Sequence, residues 1–519
     1  MGSKIPLWKK LILSTVFLCL TLFVVSQALR LTARKESQIK YADFMEHASE
    51  IDILFLGSSH VINGVNPVEL FETYGYTSYN MGGHGSVLQE TYWELMLALD
   101  HCTPKVVVVD AYMLDRDYLY IDEMYEHSPD SERASSISQL HLNMDIFPLS
   151  ETKRAAIKDL VADKSVRRQF YYPQLLYHAR WSELSAEDYA FFTPGGARNP
   201  LLGCELRYDV ETREEPPERI GEAAAMETPT VGVSYLIRII EECKTRGIPV
   251  LMTFLPLYGS VTDENAAAGA RLIAESYGVP YLNYYDDAFP DVDVHADFND
   301  HGHLNVTGCE KVTATIGQTL QTLYGQILTD HRADPAYVFW QERAADYAQT
   351  RLQSRIGAGT LYTQLNQLYA GFSAPDAQGG YVVFVRFSSE AYYDPGLQYL
   401  IGRLRELADL REDLSGLWAA GQSYLLIHDT LLPQGAIEVA GTSRTLSGIR
   451  TALGRVSYYP LDVYCLLSCD LEPEVNLLDM ETHYNADVQI LIYDAAGEML
   501  SHHCYYLQGN TYESRDAMP

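Results

Sequence analysis

Five short apolar segments that alternate with helical segments restrict the fold of this chain more than any other feature. Strands are predicted at 51–57, 76–80, 105–110, 249–255 and 279–284. Helices are predicted at 67–74, 87–100, 231–246, 263–277 and 306–328. The third strand contains four consecutive valines, Val106 to Val109, which is typical of a strand buried on both faces. Strands that alternate with helices predict an α/β fold with a parallel sheet covered on both sides.

Two regions depart from this alternation. Residues 115–230 separate the third and fourth strands, and a segment of that length predicts a mostly helical insertion instead of a loop. After about residue 330 the pattern changes to a helical stretch at 336–371 and to strands at 381–387, 423–428 and 489–493. We therefore expect one domain over 37–330 and a smaller α/β domain over 331–519.

The N-terminus contains an uncharged apolar run of 19 residues, 11–29. This length is just enough for a helix to cross a bilayer. We expect residues 1–36 to form a short cytoplasmic tail and a single membrane anchor, with the bulk of the chain outside the cytoplasm. The alternative is a cleaved signal peptide with Ser26 and Ala28 before the cut, but the apolar run is longer than a usual signal sequence.

The net charge excludes some partners. The 519-residue chain has 38 Lys and Arg against 69 Asp and Glu, which gives a formal charge of −31. A charge this negative disfavours nucleic acids and anionic membrane surfaces as partners. Eight cysteines are too few for a disulfide-rich scaffold.

Two clusters of polar and small residues follow the first two predicted strands. They are Gly57-Ser58-Ser59-His60 and Asn80-Met81-Gly82-Gly83-His84-Gly85-Ser86. Open α/β sheets bind ligands at the carboxyl ends of their strands, so a serine there is a candidate nucleophile. Glycines let backbone N–H groups approach a ligand and hold an oxyanion. Each cluster taken alone also fits an ordinary turn before a helix.

A third cluster, residues 297–305, precedes the last helix of the predicted first domain. Asp300 and His303 are three residues apart, so the carboxylate can hold the imidazole Nδ1–H while Nε2 takes a proton from a serine. A helix cap with a surface histidine is one alternative. A metal cluster of His295, Asp297, His301 and His303 is another, but no further ligands follow a recognisable spacing. We expect neither a metal nor a cofactor.

The three clusters, in this order, resemble the motifs of the SGNH/GDSL hydrolase superfamily over roughly residues 50–328. The resemblance implies a flavodoxin-like parallel sheet. It also implies a catalytic triad in which Ser59 is the nucleophile, His303 the general base and Asp300 the residue that orients His303.

The resemblance extends to the oxyanion hole. The block Asn-x-Gly-x-x-Gly matches Asn80, Gly82 and Gly85, which implies that the backbone N–H groups of Gly85 and Ser59 hold the oxyanion. Two departures stand out. Ser58 occupies the place of the usual Asp, and the third strand leads to Tyr112 without the Asn that normally donates to the oxyanion. Losing one such donor removes about 3–4 kcal/mol of transition-state stabilisation, unless Tyr112 or an insertion residue replaces it.

The whole chain looks like anchored surface proteins of this superfamily that move acyl groups on envelope polymers, such as the alginate-acetylation proteins and the D-alanyl-transfer protein of teichoic-acid modification. The resemblance implies an acylated glycan as substrate and a membrane-bound O-acyltransferase as partner. The C-terminal strands look like an interleukin-like EMT-inducer (ILEI-type) domain, a binding module, although alternating strands of this kind are common.

Two functions follow from these observations. The first is a surface-anchored serine esterase or O-acyltransferase, which acts on an extracellular polysaccharide or another envelope glycan. The second is a catalytically weak or inactive protein of the same fold that binds glycan or a protein partner. The intact Ser, His and Asp favour the first, and the missing Asn favours the second.

Overall fold

The structure is a computed structural model of the 519-residue chain. It describes residues 6–124, 130–190, 192, 198–211, 229–356, 360–373, 381–388, 391, 394–407, 409–411, 413–414, 424–432, 435–440, 446–452, 454–460, 465–470, 486–509 and 511–516. The chain divides into two compact units. The first contains 1–205, 218–290 and 312–343, and the second contains 206–217, 291–311 and 344–519. The predicted domain boundaries stay predictions.

The first unit is built around a five-stranded parallel sheet. Its strands are β1 (Ile53–Leu56), β2 (Ser78–Asn80), β3 (Val106–Asp110), β4 (Val250–Phe254) and β5 (Tyr281–Asn283). The strand order is β2-β1-β3-β4-β5, and every neighbouring pair is parallel. This order is flavodoxin-like, so the predicted fold class is confirmed. All residues of β1 and β3 are buried, as their apolar sequences predict.

Helices surround this sheet. The helices of the α/β alternation are α3 (Ser59–Gly64), α4 (Pro67–Tyr74), α5 (Leu88–Leu99), α11 (Val231–Thr245), α12 (Val261–Tyr277) and α13 (Val306–Tyr324). Two helices precede β1: α1 (Leu7–Thr32) and α2 (Lys35–His47). The described part of the insertion is helical, as predicted. It contains α6 (Asp130–Met144), α7 (Glu151–Leu160), α8 (Lys164–Tyr171), α9 (Gln174–Tyr177) and α10 (Ala186–Ala190).

Helix α1 contains the predicted apolar run. Its mean hydropathy is 2.2 over its most apolar 18 residues, and none of those residues is buried against the rest of the protein. The helix is therefore long and apolar enough to cross a membrane.

The second unit contains two antiparallel sheets. The larger has the order β14-β13-β12-β6-β7-β8, and the smaller has the order β11-β10-β9. The strands of the larger sheet are β6 (Tyr381–Phe387), β7 (Tyr424–Asp429), β8 (Ala436–Ala440), β12 (Val488–Asp494), β13 (Met499–Gln508) and β14 (Thr511–Asp516). Those of the smaller are β9 (Leu446–Thr451), β10 (Gly454–Pro460) and β11 (Cys465–Asp470). Helices α15 (Leu361–Ser373) and α16 (Pro395–Leu407) pack their apolar side chains onto the larger sheet.

The single helical stretch predicted at 336–371 is wrong in one respect. It forms two helices, α14 (Val338–Ile356) and α15. The sequence contains Gly357 and Gly359 between them, and glycine is a poor helix former. Thr360 then starts α15, because its hydroxyl accepts a hydrogen bond from the N–H of Thr363 at 3.2 Å.

Candidate active site

The turn after β1 places Ser59 at the carboxyl edge of the parallel sheet. Gly57 has a φ of +151°, and a Cβ there would lie 2.7 Å from the side chain of Val61 and 2.9 Å from that of Asp110. A side chain at position 57 therefore does not fit. The Ser58 hydroxyl caps α3 by accepting a hydrogen bond from the N–H of His60 at 3.3 Å. Ser59 is the first residue of α3 and is half-buried.

Asn80 connects the end of β2 to α3. Its Nδ2 donates to the backbone carbonyls of Val61 and Val65, at 2.7 Å and 2.8 Å. Its Oδ1 accepts from the N–H of Gly82 at 3.0 Å. Asn80 is fully buried, so it fixes the loop after β2 against the helix that begins with Ser59.

The loop after β2 also approaches the loop after β1 directly. The N–H of Gly83 donates to the carbonyl of Gly57 at 2.9 Å, and a Cβ on Gly82 would lie 2.9 Å from the carbonyl oxygen of Ser58. Gly85 has a φ of +65°, which favours glycine. The backbone N–H of Gly85 has no hydrogen-bond acceptor among the described residues, so this donor remains available to a ligand.

Lys40, a buried lysine on α2, contacts the loop that follows β2. Its Nζ donates to the carbonyl of Gly82 and to Oδ1 of Asn143, the latter at 3.2 Å. Burial lowers the pKa of Lys40, against the opposing effect of nearby glutamates. Burial raises the pKa of Glu90 to about 7, although hydrogen bonds and Lys40 oppose it, and raises that of Glu94 well above its usual value. Sequence reasoning missed this group, because nothing in a lone Lys on a helix indicates a partner more than 40 residues away.

Asp110 ends β3 and supports the same edge of the sheet. Its Oδ1 accepts from the hydroxyl of Thr253 at 3.1 Å and from the N–H of Leu255 at 2.9 Å, both from β4 or the residue just after it. Burial raises the pKa of Asp110 to about 7 in spite of these hydrogen bonds. Asp110 therefore joins the ends of the two central strands beside Gly57.

Tyr112 lies against the first loop. Its ring stacks on the imidazole of His60, with 3.8 Å between the ring centroids. Burial raises the pKa of Tyr112, although the nearby Arg116 guanidinium opposes it, so the phenol keeps its proton. The predicted substitute for the missing Asn thus contacts the residue next to Ser59.

The second unit contains the predicted pair of Asp300 and His303. His303 Nδ1 lies 2.7 Å from Oδ1 of Asp300, and the same oxygen accepts from the backbone N–H groups of Gly302 and His303, both at 3.0 Å. The other oxygen, Oδ2, accepts from the Asn299 amide at 3.1 Å and from the Arg207 guanidinium at 3.0 Å. Because the carboxylate faces Nδ1, Nε2 is on the side of the ring away from Asp300.

These contacts keep Asp300 ionised. Partial burial works against the charge, but the imidazole of His303, the hydrogen bonds from Gly302 and His303 and that from Asn299 outweigh it and lower the pKa of Asp300 below its ordinary value. The guanidinium of Arg207 also forms an ion pair with Oδ2 of Asp300. Sequence reasoning missed Arg207, since it lies 93 residues before Asp300 in a segment without a periodic pattern.

The other members of the alternative metal cluster have structural partners. The carboxylate of Asp297 accepts from the hydroxyl of Thr307 at 2.7 Å and pairs with Lys311. The ring of His295 lies beside that of Tyr399, with 5.1 Å between the centroids. No group of three His, Cys, Asp or Glu side chains suited to a metal ion occurs in the part of the chain that the structure describes.

The predicted site residues therefore form two groups. The first unit brings five of them to the carboxyl ends of β1, β2 and β3: Ser59, Asn80, Gly82, Gly85 and Tyr112. The second unit contains the hydrogen-bonded pair of Asp300 and His303.

Comparison with known proteins adds two distant structural matches. No family model and no curated protein matches the chain. A candidate acylhydrolase from Bacteroides fragilis is 13% identical, with 55% of this chain and 95% of that chain covered and a TM-score of 0.27. A GDSL-like lipase from Bacteroides thetaiotaomicron is 12% identical, with coverages of 55% and 98% and a TM-score of 0.26. At these TM-scores the matches assign no function to the chain.

Proposed function

We propose that this protein is a serine esterase or O-acyltransferase that acts on acyl groups of an extracytoplasmic glycan. The observation that carries this proposal is the Asp300–His303 pair. A carboxylate held by five N–H groups and facing Nδ1 is the arrangement that a histidine needs to work as a general base through Nε2.

In the proposed mechanism, Ser59 Oγ attacks the carbonyl carbon of an acyl ester while His303 Nε2 takes its proton. Asp300 stabilises the imidazolium that forms. The oxyanion is held by the backbone N–H groups of Ser59 and Gly85. When the tetrahedral intermediate collapses, His303 gives its proton to the departing alkoxide, and the acyl group stays on Ser59. A sugar hydroxyl or water then removes the acyl group by the reverse sequence.

Tyr112 is the proposed third donor of the oxyanion hole. The backbone N–H groups that follow β3 are already used, because that of Ala111 donates to the carbonyl of Thr253 and that of Tyr112 to Asp110. The Tyr112 hydroxyl keeps its proton, so it is a hydrogen-bond donor. A phenol in this position supplies the hydrogen bond that the Asn of the superfamily otherwise donates.

The apolar helix α1 supports a single-pass anchor, with the bulk of the chain outside the cytoplasm. The proposed partner is a membrane-bound O-acyltransferase, because α1 would hold this protein in the same bilayer. The C-terminal antiparallel sheet is proposed to bind the glycan or another protein.

One observation favours the second candidate function, that of a catalytically weak binding protein. The third strand is followed by a tyrosine instead of the usual amide donor. If Tyr112 does not donate, the hole has two donors and turnover is slow.

The test measures release of product from an activated acetyl ester by the full-length protein in detergent. Wild type, Ser59→Ala and Ser58→Ala are compared after their folding has been checked by circular dichroism. We expect Ser59→Ala to lose turnover and Ser58→Ala, which loses only a helix cap, to keep it. Adding oligosaccharide acceptors then separates transfer from hydrolysis, since an acceptor speeds the release of product only if it competes with water. Equal turnover in Ser59→Ala and wild type would exclude the proposed mechanism.

A further inference from the structure

An exposed apolar surface lies in the insertion next to the end of α1. We call it the apolar face and define it by six residues: Tyr172, Leu175, Leu176, Trp181, Tyr189 and Phe192. Trp181 is 72% exposed, and the others are between 41% and 55% exposed. Six large exposed apolar side chains occur within 21 residues of sequence, and exposed apolar side chains that cluster on a surface mark an interaction site.

The polar contacts of this segment fix it at the end of α1. Lys35 Nζ donates to the carbonyls of Arg30, Leu31 and Ala33, at 2.7, 2.9 and 3.1 Å. Arg180 donates to the carbonyl of Thr32 at 3.0 Å and also to that of Ala33. Carbonyls of the last turn of α1, which a helix leaves without partners, are therefore satisfied by a neighbouring lysine and by an arginine from the insertion.

Asp188 completes this junction. Its carboxylate lies 3.0 Å from Arg180 and 3.6 Å from Lys35, and it is buried. Helix α1 packs against α9, α10 and the 3-10 helix between them, His178–Ser182. The apolar face is thus held at the level where α1 ends.

Other side chains of α8 and α9 point inward and contact the rest of the first unit. Tyr177 donates to Asp145 at 2.8 Å, and Asp145 is also within 2.9 Å of His141 Nδ1. The ring of His141 stacks on that of Phe170 at 3.6 Å between centroids. The inner side chains of α8 and α9 are therefore packed and hydrogen-bonded, while the six residues of the apolar face are 41–72% exposed.

The charge of the surrounding segment is opposite to that of the chain. Residues 151–180 contain seven Lys or Arg and three Asp or Glu, a net +4 in a protein of −31. Arg154, Lys158, Lys164 and Arg168 are exposed. The general expectation that this acidic chain avoids anionic membranes does not hold for this segment, because basic residues near a membrane are attracted to anionic lipids.

We propose that the apolar face sits in the headgroup layer of the same bilayer that α1 crosses, with the basic residues of 151–180 on its anionic lipids. Aromatic side chains with an adjacent basic surface suit this layer. The 26 residues of α1 span about 39 Å at ~1.5 Å per residue, more than the ~30 Å hydrocarbon core, so its end reaches the headgroups. The inference goes beyond the proposed chemistry and rests only on the proposed anchor. It fixes the height and tilt of the first unit above the membrane.

The test uses the full-length protein in lipid nanodiscs that contain phosphatidylglycerol and a phosphatidylcholine brominated in the upper part of its acyl chains. The fluorescence of Trp181 is obtained as the difference between wild type and Trp181→Phe. As a matched control, Leu272→Trp is made in the Trp181→Phe background. Leu272 is 51% exposed on α12, which packs on β5. Helix α2 lies at the opposite edge of the sheet, where the backbone carbonyl of Lys40 accepts a hydrogen bond from the hydroxyl of Tyr79 on β2. Position 272 is therefore at the edge of the sheet away from α2.

We expect brominated lipid to quench at least half of the Trp181 emission and to leave the emission of the control tryptophan unchanged. Protein that stays in the disc with unquenched Trp181 would overturn the docking and leave the anchor intact. Quenching of both tryptophans to the same extent would also overturn the docking. So would a Trp181 that is shielded from aqueous quenchers but not quenched by brominated lipid, since a protein would then cover the apolar face. Protein that does not stay in the disc would overturn the anchor and the docking together.

Discussion

Replacing Asp300 by Asn tests how the carboxylate supports His303. In the structure, three N–H groups converge on Oδ1, and two of them are backbone groups that cannot move away: those of Gly302 and His303. An Asn side chain satisfies them only by placing its oxygen at the Oδ1 position. His303 Nδ1–H then keeps an acceptor, and the tautomer is retained. The amide nitrogen replaces Oδ2 and faces Arg207 and Asn299, which are both donors.

Asp300→Asn should therefore lose the negative charge of the carboxylate and keep the orientation of the His303 ring. A hydrogen bond to a charged group contributes about 1.5–3 kcal/mol and one between neutral groups about 0.5–1.5 kcal/mol. Exchanging the carboxylate for an amide oxygen should therefore weaken the bond to the imidazolium by about 1–1.5 kcal/mol, a roughly 5- to 13-fold decrease in kcat. Since 40% of the Asp300 side chain is exposed, solvent screening favours the lower end of this range. A triad whose Asn imposes the wrong tautomer loses about 10⁴-fold instead.

The assay is steady-state hydrolysis of an activated acetyl ester by Asp300→Asn, Asp300→Ala and His301→Gln. The Ala variant removes the acceptor as well as the charge, and we expect it to lose more activity than Asn. His301 lies on the same loop with its side chain 73% exposed, and its replacement should leave kcat unchanged. A 10⁴-fold loss in Asp300→Asn would refute the reasoning about the backbone clamp. An unchanged rate would refute the role of the Asp300 carboxylate in stabilising the His303 imidazolium.

Three other predictions concern the first unit. Tyr112→Phe should lower kcat about 10²-fold and leave KM nearly unchanged if the hydroxyl donates to the oxyanion; equal kinetics would show that the hole has two donors. Lys40→Met leaves the Gly82 carbonyl and the buried carboxyls of Glu90 and Glu94 without their cation. We therefore expect urea unfolding to show that the free energy of unfolding falls by about 3–5 kcal/mol. A decrease below 1 kcal/mol would contradict the buried contact. Asp110 binds its proton more tightly in the folded protein, where its pKa is about 7, than in the unfolded chain, where its pKa is 3.8. Its contribution to the free energy of unfolding should therefore fall by roughly 4 kcal/mol as the pH rises from 3.8 to about 7. Asp110→Asn should remove this part of the pH dependence of unfolding, and an unchanged slope would contradict it.

Much of the parallel sheet was predictable, because its signals are local. Buried apolar runs of four or five residues and helices between them determine the strands, and the run of valines in β3 marks its central position. The break between α14 and α15 was missed, although Gly357 and Gly359 indicate it. Strands β8–β11 and β14 were also missed, since short antiparallel strands with polar faces have little periodic signal.

The candidate site was predictable where its residues share a short motif. Asp300 and His303 are three residues apart, and the glycines of the second loop follow a fixed spacing. Arg207 and Lys40 were not predictable, because they reach their partners only through the fold. Both act on groups whose importance was recognised, namely the Asp300 carboxylate and the Gly82 peptide.

The most direct test of the central claim is covalent labelling of the full-length protein with a fluorophosphonate, followed by peptide mapping. We expect one modified residue, Ser59. The label should persist in Ser58→Ala, disappear in Ser59→Ala and form far more slowly in His303→Ala. Labelling of folded Ser59→Ala at the wild-type rate, or a folded wild-type protein that takes up no label at Ser59, would contradict the proposed serine mechanism.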